Sequence, residues 1–102
     1  MAVKIGTVAT FADAKPDKTQ VVKILEESAE IFGAWQKCNH YGCMACLSVY
    51  KFCSVRECIA LECADTIQAI CNLLAAYGID DLTAVLDRCK QKNIERGREY
   101  GI

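Results

Sequence analysis

The chain has 102 residues, 12 Lys and Arg against 13 Asp and Glu for a net charge of −1, and a hydrophobic fraction of 53%. That length makes one domain, 1–102, with room for a single core, and the near-zero charge argues against wholesale binding to a nucleic-acid polymer. The N-terminus lacks a basic flank leading into a signal-length apolar run, and no segment reaches roughly 18 uninterrupted apolar residues, so the expectation is a cytoplasmic protein with no membrane span.

Residues 2–12 are mostly β-branched or small, loosely alternating and without helical periodicity; they read as an extended arm or a short strand within residues 1–16, which end at the single proline, Pro16. Asp17 with Gln20 has the form of a capping box, which predicts a helix from about that point. Val21, Leu25, Ser28 or Ala29, Phe32 and Trp35 then recur at helical period, as a core-facing stripe would, to an end near Lys37. Residues 38–54, CNHYGCMACLSVYKFCS, form an irregular, Cys-rich connecting segment whose second half is open to helix. The next helix is predicted from about Val55 to Tyr77, closed by Gly78 in a left-handed conformation. The turn Gly78-Ile-Asp-Asp81 follows. Asp80 is placed to cap a last helix from Asp81 to about Arg96, with Leu82, Val85, Leu86 and Cys89 on its apolar stripe.

These elements define an all-α chain of three main helices. Between Cys58 and Tyr77 the only formal charges are Glu62 and Asp65. A helix so apolar needs covering on most faces, more than two short helices provide. The expectation is a bundle completed by oligomerisation, as a homodimer or homotetramer.

Residues three apart share a helix face, so Glu27 with Glu30, and Glu62 with Asp65, are two carboxylate pairs. An antiparallel hairpin brings all four together. At about 5 Å and an effective dielectric near 20, each like-charge contact costs on the order of 3 kcal/mol. Protons, Lys or Arg partners, or a divalent metal must neutralise them. Lys23 can pair with Glu27, and Glu26, Glu27 and Glu30 taken alone fit a solvated face. Glu62 and Asp65 have no basic partner within one turn on their own face, which favours a metal site. Oxygen-only ligands favour hard cations: Mg²⁺, Mn²⁺ or Ca²⁺. Di-iron chemistry would need two Glu-x-x-His motifs, and the one histidine is His40.

The last helix is basic: Arg88, Lys90, Lys92, Arg96 and Arg98 face only Glu95 and Glu99 between residues 88 and 100. Helix C-termini attract cations through the dipole alone. Lys92, Asn93 and Arg96 also lie close enough together to bind the phosphates of an anionic substrate. In the connecting segment Cys38, His40, Cys43 and Cys46 have ligand types and spacing for tetrahedral Zn²⁺, without the paired C-x-x-C arrangement of a strong signature. With eight cysteines and no secretion signal, a reduced state with thiols packed as small hydrophobes is favoured over disulfides.

Glu26-Glu27-x-x-Glu30 followed by Glu62-x-x-Asp65 resembles the E-E-x-x-E … E-x-x-D signature of MazG-like nucleotide pyrophosphohydrolases, an all-α superfamily. The stretch ADTIQAICNLLAAYGIDDLTAVLDRCKQKNIERGR is similar to that family's long apolar helix, Gly-Ile-Asp turn and closing helix, and the likeness covers roughly residues 18–98. The resemblance implies cleavage of a nucleoside triphosphate between its α- and β-phosphates, releasing the monophosphate and pyrophosphate. It implies Glu27, Glu30, Glu62 and Asp65 as Mg²⁺ ligands, Glu26 as the carboxylate that orients or deprotonates the attacking water, and Lys92, Asn93 and Arg96 at the phosphates. Trp35 or Tyr77 is available to stack on the base. Two other functional classes stand beside it: a non-enzymatic helical interaction module with a zinc-binding Cys-rich segment, and a redox-sensing oligomer.

Overall fold

In the computed structural model, residues 1–37, 41–43, 48–52 and 54–101 are described, with only the backbone of Lys37 and of the two segments between 41 and 52. The main elements are three helices: α1 (Lys18–Lys37), α2 (Val55–Ala76) and α3 (Thr83–Glu95). A short antiparallel pair, β1 (Tyr41–Cys43) and β2 (Ser48–Phe52), lies between α1 and α2, with Tyr41 opposite Phe52 and Cys43 opposite Ser48. The second half of the connecting segment is therefore strand and not helix. Val49, Tyr50 and Phe52 are residue types that suit a pleated strand better than a helix.

Local chemistry sets the helix ends. The Gln20 N–H donates to Asp17 Oδ1 at 3.1 Å, which starts α1. The Ser54 hydroxyl accepts from the Glu57 N–H at 3.2 Å, and Ser54-Val-Arg-Glu57 is a capping-box sequence that opens α2. At the far end Gly78 adopts φ 75°, its N–H donates to the Ala75 carbonyl, and the Ile79 N–H reaches back to the Leu74 carbonyl. That is the double-bonded termination that a left-handed residue permits. Helix α3 begins two residues later than the charge pattern suggests. Asp81, and not Asp80, accepts the Thr83 N–H at 2.9 Å, so the turn extends through Leu82.

Helices α1 and α2 form the only close helix pair among the described residues. The Gln20 side chain donates to the Ala69 carbonyl at 3.2 Å, while Glu27 and Glu30 meet Glu62 and Asp65. Rising positions on α1 thus meet falling positions on α2, and the pair is antiparallel. Its buried residues are small: Ala34, Cys58 and Ala69, with the polar Glu62 and Asn72 beside them. Small side chains let the helices approach closely.

The apolar stripes point elsewhere. Val21, Leu25, Phe32 and Trp35 of α1 are exposed in the single chain, as are Val85 and Leu86 of α3. The stripe on α1 does not face the chain's own core, because the single helix packed against α1 covers the face that carries the acids. Helix α3 makes no close backbone contact with α1, α2 or the β-pair among the described residues. The chain exposes 8168 Å², where a compact chain of its 11.3 kDa mass would expose about 5,700 Å². Helix α2 is also long and apolar enough to cross a membrane by length and composition alone, a property it shares with core helices of soluble proteins.

Residues 1–10 adopt neither helix nor strand. The arm is nevertheless held on α2: the Phe11 N–H donates to Asn72 Oδ1 at 3.0 Å, and Gln68 Nε2 donates to the Ala9 carbonyl at 2.8 Å. Because Gly78 needs a positive φ but has open space around it, Gly78→Ala should cost about 1 kcal/mol through backbone strain alone. A thermal melt should show a drop of several degrees; an unchanged midpoint would contradict this account of the α2 terminus.

Candidate metal centre

Glu27 and Glu30 project from the middle of α1, and Glu62 and Asp65 from the facing stretch of α2. One carboxylate oxygen from each lies within 4.8 Å of the other three. The i, i+3 spacing places each pair on one face, and the antiparallel packing sets the two faces against each other. The four sites expected from the sequence are thus brought together.

Their environments differ. Glu62 is only 5% exposed, Glu27 is half-buried, and Glu30 and Asp65 are open to solvent. Burial raises the pKa of Glu62, and a hydrogen bond with Glu30 and the charges of Glu30, Asp65 and Glu27 raise it further. Burial likewise raises Glu27, as does the neighbouring Glu30 charge, while Lys23 pulls in the opposite direction. Lys23 Nζ stands 3.6 Å from Glu27 and 3.7 Å from Glu26. It is half exposed, so these contacts are screened and each contributes less than about 1 kcal/mol. Among the described residues Lys23 is the lysine seen in ion pairs with these acids, and it reaches Glu26 and Glu27 only.

Among the described residues Glu62 Oε2 is buried and has no hydrogen-bond partner. A buried, unpaired carboxylate oxygen on one of four clustered carboxylates fits a cation site. The dimensions fit as well. Oxygens within 4.8 Å of one another are close enough that these four residues could hold one cation. The donor set is all oxygen, which suits a hard cation such as Mg²⁺, Mn²⁺ or Ca²⁺.

A cleft of about 640 Å³ opens beside the cluster. Glu27, Glu30 and Asp65 contribute to its lining, as do Phe11 and the charged Asp13, Lys15, Asp17 and Lys23, and the amides Gln20, Gln68 and Asn72. Sequence reasoning did not single out Phe11, Gln68 or Asn72, and read Gln20 only as part of a helix cap. The available signal was Asn72, an amide set in the apolar run Ile70-Cys-Asn-Leu-Leu74.

The remaining expected residues lie apart from the cluster. Glu26 is exposed and held by Lys23 outside the four-carboxylate group. Lys92, Asn93 and Arg96 sit on α3 and its C-terminal cap, which do not pack on the acidic hairpin. Asn93 Nδ2 donates to the Tyr100 hydroxyl at 3.0 Å, and Lys90 lies 5.2 Å from the centre of the Tyr100 ring. Trp35 stacks on Phe32 with ring centres 5.9 Å apart and does not line the cleft, and neither does Tyr77. Of the zinc candidates, Cys38, His40 and Cys46 lie outside the described residues, and Cys43 is seen as backbone in β1. Cys58 is fully buried, while Cys63, Cys71 and Cys89 are free thiols. No protein-family model, curated protein or solved structure matches the chain.

The raised carboxyls make the metal-free protein sensitive to pH in a defined direction. Glu27 and Glu62 bind protons more tightly folded than unfolded, where their pKa is near 4.5. Their stabilising contribution is complete below that pH and is lost as pH rises through the folded values. In EDTA the melting temperature should therefore fall as pH rises from about 4.5 to 7, and Mg²⁺ should restore it at pH 7. Glu62→Gln should raise the metal-free midpoint at pH 7 by several degrees, for about 1 kcal/mol, and abolish the Mg²⁺ effect. A pH-independent midpoint in EDTA, or full Mg²⁺ stabilisation of the variant, would contradict the assignment.

Proposed function

We propose that the protein is a Mg²⁺-dependent, MazG-like nucleoside triphosphate pyrophosphohydrolase that converts a nucleoside triphosphate to the monophosphate and pyrophosphate. The observation that carries this reading is the convergence of both acidic motifs, Glu27/Glu30 and Glu62/Asp65, within 4.8 Å, beside a cleft of nucleotide size. A carboxylate cluster by itself repels a triphosphate, so the pairing of such a cluster with an anionic substrate requires cations between them.

Glu27, Glu30, Glu62 and Asp65 hold the cation, with Mn²⁺ able to replace Mg²⁺. When bound it neutralises phosphate charge and polarises a phosphoryl oxygen. Glu26, exposed and tethered by Lys23, holds the attacking water and takes its proton. The water oxygen forms the new bond to the α-phosphorus, the bond from that phosphorus to the bridging oxygen breaks, and pyrophosphate leaves with the electron pair. The rigid helix pair supplies positioning, which such a reaction chiefly needs.

The same reading includes an oligomer, a homodimer or homotetramer of this chain. The surface excess of some 2,400 Å² over a compact monomer is the size of an obligate interface. The exposed Leu25, Phe32 and Trp35 on α1 need a covering face of the same kind. A second copy also gives Lys92, Asn93 and Arg96 a route to the triphosphate, since α3 does not pack on the acidic hairpin of its own chain.

Pyrophosphate release from a panel of triphosphates, with Mg²⁺ and with EDTA, tests the activity. Release should require the metal and give monophosphate as co-product. Glu27→Gln and Asp65→Asn should each lower kcat/KM by about a hundredfold or more, as expected for lost metal ligands. Release of single orthophosphate, or no turnover by folded protein, would overturn it. By light scattering the particle mass should be a multiple of 11.3 kDa and drop to one chain in Trp35→Glu. A monomeric wild type would remove the oligomer from the reading.

A further inference from the structure

Beyond the carboxylates, the cleft is lined by three amide side chains whose orientation the backbone dictates. The Phe11 N–H is an obligate donor, so the Asn72 atom 3.0 Å away is its carbonyl oxygen. That same oxygen accepts from Gln68 at 3.0 Å, and the Gln68 nitrogen also donates to the Ala9 carbonyl. Gln20 turns its nitrogen to the Ala69 carbonyl. Among the described residues no partner is seen for the amino group of Asn72 or for the carbonyl oxygens of Gln68 and Gln20. Asn72 is 4% exposed, and its two accepted hydrogen bonds hold its side chain in place. The remainder is one donor and two acceptors on side chains that all line one cleft.

We propose that this end of the cleft is the nucleobase subsite and that it selects a base with an exocyclic amine beside a ring acceptor nitrogen, as in cytosine or adenine. The inference rests on the pyrophosphohydrolase reading for its phosphate end. The exocyclic amine donates to the Gln68 and Gln20 carbonyls, and the ring nitrogen accepts from Asn72 Nδ2. Uracil presents carbonyl oxygens and an N–H in those places, so it sets acceptor against acceptor and leaves buried groups unpaired. Phe11, 61% exposed on the cleft wall, offers a ring face to the base. Asn72 lies seven residues beyond Asp65 on α2, about 10 Å along the axis, which leaves room for a sugar between the phosphates at the acidic cluster and the base. The arm is then part of the specificity machinery, because Ala9 and Phe11 orient Gln68 and Asn72.

Asn72→Asp tests the assignment. The carboxylate keeps the oxygen that accepts from Phe11 and Gln68, and replaces only the free amino group by an acceptor. In kcat/KM for pyrophosphate release, the wild type should prefer CTP and ATP over UTP by about tenfold or more, and the variant should narrow or reverse that ratio. A flat base profile in the wild type, or an unchanged ratio in a folded variant, would overturn the subsite. If no triphosphate is turned over, the hydrolase reading fails and the subsite is judged by binding. Cytidine and adenosine monophosphates should then shift the side-chain amide resonances of Asn72 and Gln68 in the wild type, while uridine monophosphate leaves them in place. Equal shifts with all three, or none with any, would overturn it. The same resonances decide the matter should Asn72→Asp not fold.

Discussion

Four carboxylates facing one another across a single helix–helix seam are the constraint on which the rest of this structure depends. Ala34, Cys58 and Ala69 are small enough to let α1 and α2 lie close, and closeness brings Glu27, Glu30, Glu62 and Asp65 to within 4.8 Å. The apolar contact that small residues provide is modest, while each like-charge contact at that separation costs on the order of 3 kcal/mol. The seam is therefore stable only when charge is removed or balanced. Burial first and neighbouring charges second push Glu27 and Glu62 toward the neutral form. In the proposed metal site a divalent cation would balance the same charge at neutral pH, and folding and metal occupancy would then be linked through these four groups.

The cleft follows from what covers α2 next to this seam. Beyond Asp65 the face turns from acid to amide at Gln68 and Asn72, and the N-terminal arm is hydrogen-bonded along it. The arm leaves the helix pair open between its own Phe11 and the acids, and the cavity carries the amides of Gln20, Gln68 and Asn72 together with Asp13, Lys15, Asp17 and Lys23 beside the acidic cluster.

Surface outside the seam is poorly covered. Phe32 and Trp35 stack on each other in solvent, and α3 holds its own C-terminal tail through Asn93, Lys90 and Tyr100 without packing on α1 or α2. A chain of this size with so small an internal core has little margin against the entropy of ordering its backbone. In the proposed oligomer, further hydrophobic stabilisation comes from the faces that a single chain leaves bare.

What the sequence determined by itself was local. Asp17, Gly78 and the hydrophobic periodicity placed three helices to within two residues at each end, because caps and terminations are decided by atoms a few positions apart. The pairing of Glu27 with Glu30 and of Glu62 with Asp65 was legible for the same reason. Three things were decided only in tertiary structure. Which face of α1 met α2 could not be read from its stripe, since Val21, Leu25, Phe32 and Trp35 fit a core as well as an interface. The strand at Ser48–Phe52 depends on pairing with Tyr41–Cys43, a non-local contact with no helical or capping signal. The role of Phe11, Gln68 and Asn72 depends on a contact that spans some sixty residues. Amide orientation is fixed only when a backbone group from elsewhere in the chain arrives to meet it.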